Sequence, residues 1–259
     1  MKITVATVTY NASKLIEPTI ESVERQTYPE VEHLIIDGNS SDDTLTKVHL
    51  YQERNSHAAV RHEVNCLSEP DKGLYDAMNK AINMATGQYI VFLNAGDRLH
   101  SPETLSIIAK AATTRPGGEL PAVVYGNTDI VDGDGKFLRP RRLSPPERLS
   151  WKSFRRGMLV CHQAFYARTD LAREFHYDLK YRFSADFDWC VKIMHAAARR
   201  HLPIINAHAV VADYLSEGMT TQNHSASLRE RFRIMVRHYG LLTTAFMHAA
   251  FVVRGILKK

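Results

Sequence analysis

Strand-like and helix-like segments alternate through residues 1–100, and this alternation leaves few folds open to the chain. Ile3-Thr4-Val5-Ala6-Thr7-Val8 is β-rich and nearly continuous, as a strand covered on both faces should be. Asn11 or Ser13 is placed to cap a helix that turns Leu15, Ile20 and Val23 toward the core. Val31-Glu32-His33-Leu34-Ile35-Ile36 reads as a second strand, and Ser40 or Ser41 then caps a helix carrying Leu45, Val48 and Leu50. A third strand spans 60–67. Gly73 opens a helix with Leu74, Met78, Ala81, Ile82 and Ala85 on one face, and Gly87 stops it. After a fourth strand, Tyr89-Ile90-Val91-Phe92-Leu93, the run Ser101-Pro102-Glu103 starts another helix. The pattern predicts an α/β fold, Rossmann-like, with a mostly parallel central sheet and helices on both faces.

The loops after these strands are acidic. Asp37 follows the second strand, Glu69 and Asp71 the third, and Asp97 the fourth. Open α/β sheets bind ligands beyond the carboxyl ends of their strands. Carboxylates converging there repel one another unless a cation or a base-bearing ligand joins them. A nucleoside diphosphate with a metal ion meets that requirement.

The second half is less regular. Strands are expected at 122–125, at 164–166 and within 202–211, a hairpin turn at Asp132-Gly133-Asp134-Gly135, and a helix over 185–198. From about 225 the chain reads as helical. A length of 259 residues suits one domain with an appendage. The net charge of +5 is unevenly spread, with Arg139, Arg141, Arg142, Arg148, Lys152, Arg155 and Arg156 in one stretch. The stretch contains no recognition motif for nucleic acid, which argues against that partner. Cys66, Cys161 and Cys190 show neither paired nor metal-ligand spacing, so free thiols in a reducing cytosol are expected. The N-terminus enters its first strand without a cleavable signal, and no apolar run reaches the roughly 20 residues that span a bilayer.

Several motifs stand in a fixed order: Thr7-Val8-Thr9-Tyr10-Asn11, Asp37-Gly38-Asn39-Ser40-Ser41-Asp42-Asp43-Thr44, Ser68-Glu69-Pro70-Asp71-Lys72-Gly73, Asn94-Ala95-Gly96-Asp97, His162-Gln163-Ala164 and Ser184-Ala185-Asp186-Phe187-Asp188. Together they resemble family 2 glycosyltransferases of the GT-A fold, in particular the bacterial exopolysaccharide, O-antigen and colanic acid branch. The resemblance covers residues 1 to about 225. It implies a GT-A domain over 1–224, with the nucleotide-sugar half at 1–100 and the acceptor and catalytic half at 101–224, followed by a basic amphipathic tail over 225–259.

The resemblance also implies roles. Thr9, Tyr10, Asn11 and Asp37 match positions that hold base and ribose, where a carboxylate accepts a base N–H in a charge-assisted hydrogen bond. Glu69, Asp71, Lys72 and Gly73 resemble a segment lining the donor site, and Gly73 lets backbone approach closely. Asn94 and Gly96 lie in the stretch at the family's Asp-x-Asp position, with Asn94 in place of the first acid. Asp97 is then the expected ligand of Mg²⁺ or Mn²⁺. Asp186 matches the catalytic base, with Asp188 in reserve. The two are about 200° apart around a helix and should not share a face. His162 and Gln163 are expected near the acceptor or diphosphate. The implied activity is inverting, metal-dependent transfer of a sugar from a UDP or GDP donor to a glycan or an undecaprenyl-diphosphate-linked acceptor, in exopolysaccharide or lipopolysaccharide biosynthesis. Arg229, Arg231, Arg233 and Arg237 precede an apolar segment at 241–253, and Arg254, Lys258 and Lys259 follow it. That arrangement suits peripheral contact with the anionic inner face of the cytoplasmic membrane. A sugar nucleotidyltransferase and an inactive membrane-associated binding subunit are the alternatives. The first usually carries a Gly-rich loop after its first strand, where this chain has Thr9-Tyr10-Asn11-Ala12-Ser13.

Overall fold

The computed structural model describes residues 1–114, 118–216 and 224–256, with backbone alone at 224 and 252–256. The side chains of Arg254, Lys258 and Lys259, expected in the basic tail, fall outside the described residues. The first half alternates as its sequence predicts: β1 (Ile3–Thr9), α1 (Ile16–Glu24), β2 (Val31–Asp37), α2 (Thr44–Ser56), β3 (Glu63–Ser68), α3 (Leu74–Met84), β4 (Tyr89–Phe92), β5 (Arg98–Leu99) and α4 (Thr104–Thr113). The second half adds β6 (Val123–Val131), β7 (Phe137–Pro140), short 3-10 turns at Trp151–Arg156 and His162–Ala164, β8 (Phe165–Arg168), α5 (Thr169–Glu174), α6 (Ala185–Arg199) and β9 (Ile204–Leu215). Two helices close the chain, α7 (His224–Tyr239) and α8 (Leu241–Ile256).

Among the described residues the strands form one nine-stranded sheet in the order β3-β2-β1-β4-β8-β6-β9-β5, with β7 paired to β6. Strands β3, β2, β1 and β4 are parallel to one another. Strand β8 enters antiparallel between β4 and β6, and β9 returns parallel to β6. The parallel quartet brings Thr9, Asp37 and Ser68 level at one edge, because Thr9 pairs with Asp37 and Asp37 with Ser68. That row is the carboxyl-end rim on which the site is built.

Strands β1 and β2 are buried along their whole lengths. Burying each Val, Leu or Ile contributes about 1.5–3 kcal/mol. Polar residues in these strands are answered by partners. Glu32 accepts hydrogen bonds from Thr4 Oγ1 and from the amide and hydroxyl of Thr86. His33 lies between Thr7 Oγ1 and Tyr51 Oη, and burial holds its pKa down at about 3, so it stays neutral. One expected core position differs. Leu15 is 42% exposed, and its neighbour Ile16 joins Ile20 and Val23 in the buried layer instead. The helices start at Ile16 and Thr44, later than Asn11, Ser13, Ser40 or Ser41 would place them; the N–H groups of Asn11, Ser13 and Ser41 instead donate to Ser40 Oγ, Asp42 and Asn11 Oδ1 across the rim loops.

Helix α7 is packed into the body. Ile234 and Met235 are fully buried in the main core. The Glu230 carboxylate accepts the backbone N–H groups of Arg182, Phe183 and Ser184 at 2.8, 2.8 and 3.0 Å, just ahead of α6. An anion at a helix N-terminus satisfies orphan donors and complements the dipole. Helix α8 leaves Leu241, Leu242 and Phe246 60%, 87% and 73% exposed.

Candidate active site

One wall of the site is built at the rim of β1, β2 and β3. Asp37 is fully buried, and its carboxylate accepts the Ser40 N–H at 2.9 Å, the Ser40 hydroxyl, and the Ser68 hydroxyl at 2.7 Å. These bonds tie the ends of β2 and β3 together and fix the loop between them. Gly38 lies against Asp71 and Tyr10: a Cβ there would sit 2.7 Å from Asp71 Oδ2 and 3.2 Å from the Tyr10 ring. Any side chain at 38 would fill the space those two residues frame. Tyr10 is 64% exposed, an aromatic face at the mouth of this wall. Asn11 takes a left-handed φ of 47° and accepts the Ser41 N–H at 2.9 Å. The structure therefore brings Thr9, Tyr10, Asn11, Asp37 and Asp71 together. Asp71 also accepts the N–H of Gly73, whose φ of 111° suits glycine alone. Glu69 is turned aside into an ion pair with Lys80 at 2.8 Å, and Lys72 is exposed.

The opposite wall is assembled from β4, the His162–Ala164 turn and the start of α6. Asn94 Nδ2 lies 3.3 Å from His162 Nε2, and His162 Nδ1 lies 3.3 Å from Asp186 Oδ2. With the Asn94 amide as donor, Nε2 accepts, so Nδ1 carries the proton and donates it to Asp186. Tyr75 Oη donates to Asp186 Oδ1 at 3.3 Å, and the Phe187 N–H donates to the same oxygen at 2.8 Å. Burial pushes the Asp186 carboxyl up, but the His162 hydrogen bond and the charge of Arg231 outweigh it and hold the group below its ordinary value. Asp186 is thus a half-buried, oriented and ionised carboxylate, its side chain 15% exposed.

Asp97 lies behind this wall. Its Oδ2 accepts from Gln163 Nε2 at 2.7 Å and its Oδ1 from the Leu215 N–H at 3.1 Å. Burial raises its pKa to about 6, against the pull of those two bonds. Gly96 has a φ of 102°, and a Cβ there would lie 2.9 Å from Leu215 Cδ2, so position 96 offers no side-chain ligand. Two amide oxygens nearby, Asn94 Oδ1 and Gln163 Oε1, are buried without a hydrogen-bond partner. Oxygen donors of this kind suit Mg²⁺ or Mn²⁺, so the residues present fit a hard divalent ion, with Asp97 supporting Gln163 from behind.

Asp188 does not join the cleft. It is fully buried on another face of α6, between His238 Nε2 at 2.7 Å and Lys192 Nζ at 2.5 Å, where it ties α7 to α6. Arg231 was not singled out as a site residue from its sequence. Its guanidinium sits over the Phe187 ring at 5.3 Å, one residue from Asp186. No local signal marks it, because α7 reaches the cleft only through tertiary packing.

The model of the family described as "Glycosyl transferase family 2" matches residues 4–175. The chain belongs to this family. It is 30% identical over 209 residues to a PGL/p-HBAD biosynthesis glycosyltransferase of Mycobacterium bovis, covering 80% of this chain and 73% of that protein. It is 26% identical over 186 residues to the amylovoran biosynthesis glycosyltransferase AmsB of Erwinia amylovora, covering 71% of this chain and 60% of that one. Its fold is similar to that of the mannosyltransferase PcManGT from Pyrobaculum calidifontis in complex with GDP-Man and Mn²⁺, with a TM-score of 0.65 and 19% identity over 95% of this chain and 70% of that protein. The family 2 glycosyltransferase thus has the GT-A architecture its motifs predict, resembles enzymes of bacterial polysaccharide synthesis, and has a sugar-nucleotide-binding structural neighbour.

Proposed function

We propose that this family 2 glycosyltransferase transfers one sugar, with inversion, from a UDP or GDP donor to a hydroxyl of a glycan or lipid-linked glycan in bacterial surface polysaccharide synthesis. The observation that carries the reading is Asp186, a half-buried carboxylate held ionised and aimed by His162 and Tyr75. Tyr10, Asp37 and Asp71 receive the base and ribose. Asp186 takes the proton of the acceptor hydroxyl as that oxygen bonds to the anomeric carbon. The bond from that carbon to the phosphate oxygen breaks on the opposite face, and the nucleoside diphosphate departs. One displacement inverts the anomeric centre, so no covalent nucleophile is needed. Asn94, Gln163 and Asp97 would hold a bound Mg²⁺ or Mn²⁺, which would stabilise negative charge on the departing diphosphate as a Lewis acid.

The exposed Leu241, Leu242 and Phe246 of α8, preceded by the exposed Arg229, Arg233 and Arg237, support peripheral docking on an anionic cytoplasmic leaflet. This would place the cleft near a membrane-borne acceptor.

The test measures donor binding and transfer separately. Thermal shifts with UDP, GDP and their sugars, with and without Mn²⁺, identify the donor. Asp186→Asn is expected to keep the donor-induced shift and lose sugar transfer by at least 100-fold, as loss of a general base does. Full transfer by Asp186→Asn would exclude it as the base, and a wild-type protein that no nucleoside diphosphate stabilises would remove the donor reading.

A further inference from the structure

Helix α7 places a cation beside the proposed base that the reaction outlined above leaves unused. Arg231 is partly buried, its Nε is sealed from solvent, and that nitrogen has no hydrogen-bond partner. Its guanidinium lies 5.3 Å from the centre of the Phe187 ring, at the start of the helix that carries Asp186. The helix is fixed in register there. Glu230 is bonded to three N–H groups ahead of α6, and Ser227 Oγ lies 3.0 Å from Ser184 Oγ.

The surroundings of Arg231 are short of negative charge. Burial pushes its pKa down, the neighbouring Arg141 pushes it further, and Asp186 and Tyr75 pull it back. Arg141 is itself held rigid by the carbonyls of Leu143, Met158 and Leu159, so it brings a second fixed positive charge without a carboxylate of its own. Asp186, the carboxylate that acts on Arg231, already accepts from His162, Tyr75 and the Phe187 amide. A buried cation in this state is costly unless an anion completes it. A guanidinium fork is suited to phosphate oxygens.

We propose that Arg231 is a phosphate-binding residue of the cleft, supplied by the C-terminal helix and completed by a diphosphate-bearing ligand. The inference rests on the glycosyltransferase reading of the site. The diphosphate belongs either to the nucleotide donor or to a lipid-linked acceptor, and the chemistry of recognition is the same for both.

The experiment uses the full chain, as wild type, Arg231→Gln and Arg231→Lys, with Arg61→Gln, exposed ahead of β3 at the opposite end of the sheet from the rim, as control. Calorimetry measures affinity for UDP, uridine, GDP, guanosine and farnesyl diphosphate, the last a soluble probe of a lipid diphosphate. A donor role predicts that Arg231→Gln weakens the nucleoside diphosphate about 10- to 100-fold and leaves the nucleoside unchanged. An acceptor role predicts the same loss for farnesyl diphosphate alone. Arg231→Lys, which keeps the charge and loses the fork, should fall between wild type and Gln; it also serves as the test variant if Arg231→Gln does not fold. Unchanged affinity for every diphosphate in a folded variant overturns the inference and leaves the glycosyltransferase reading standing. A wild-type protein that binds neither kind of diphosphate overturns both.

Discussion

Asp97 is a buried carboxylate and Asp186 a half-buried one, and their surroundings drive them apart. Burial dominates at Asp97 and raises its pKa from 3.8 to about 6, whereas the proton on His162 and the charge of Arg231 prevail at Asp186 and lower it. Asp97 consequently binds a proton in the folded state that it lacks when unfolded between those two pH values. Its contribution to stability is most favourable below pH 3.8 and is lost as pH rises through about 6, a change on the order of 3 kcal/mol. Asp97→Asn should remove that part of the pH dependence: the Asn oxygen keeps the Leu215 N–H, and Gln163 turns its amide so that Oε1 gains the donor it lacks. Denaturant unfolding from pH 4 to 8 measures this, and an unchanged slope would mean that Asp97 does not carry it. At Asp186 the sign is opposite. A carboxylate held below its usual range stays ionised through neutral pH, so the acid limb of kcat/KM should lie low in the wild type. His162→Ala removes the stabilising donor and should move that limb upward in pH while KM for the donor changes little.

Helix α6 is set from both sides by α7, at its start by Glu230 and on its buried face by His238 through Asp188. Removing the shared anion by Asp188→Asn leaves Lys192, mostly buried, without a counter-charge, and weakens the bond to His238. The expected loss is about 3 kcal/mol, or a fall in Tm on the order of 5–10 °C, read by a thermal melt at pH 7. Because Asp188 has a lowered pKa, this stabilisation is present at neutral pH and is lost as pH falls through its folded value. Glu230→Ala should also lower kcat, since the turn that carries Asp186 loses its cap. These elements differ in how far they could be read in advance. The β/α alternation is a local pattern, and the parallel quartet followed it. The two-residue spacing of Asp186 and Asp188 was enough to separate their faces, because helical geometry is local too. Leu15 reads as a core residue although it lies outside and Ile16 takes the place, since apolar periodicity leaves a one-residue ambiguity that only packing resolves. The burial of Asp97 depends on Leu215, 118 positions along the chain, and no local spacing encodes that meeting.

The same limit applies to the whole molecule. Residues 225–259 carry a basic, apolar pattern that reads as a surface tail, yet the two helices divide the work. Helix α7 buries Ile234 and Met235 in the core and places Arg231 beside the base, while α8 leaves Leu241, Leu242 and Phe246 facing outward. Two truncations separate these contributions. A chain ending at Tyr239 keeps the α7 contacts and should retain its cooperative melt and nucleotide binding, while losing affinity for vesicles rich in anionic lipid. A chain ending at Leu215 uncovers the core beneath α7 and strands Asp188 and Arg182–Ser184 without their partners, so it should lose cooperative unfolding altogether. The point variants Leu242→Glu and Phe246→Glu provide the finer test: each inserts a charge into the exposed apolar stripe and should weaken vesicle sedimentation without changing Tm. If both variants sediment with anionic vesicles as fully as wild type does, α8 is not the docking surface, and the acceptor reaches the cleft without help from this helix.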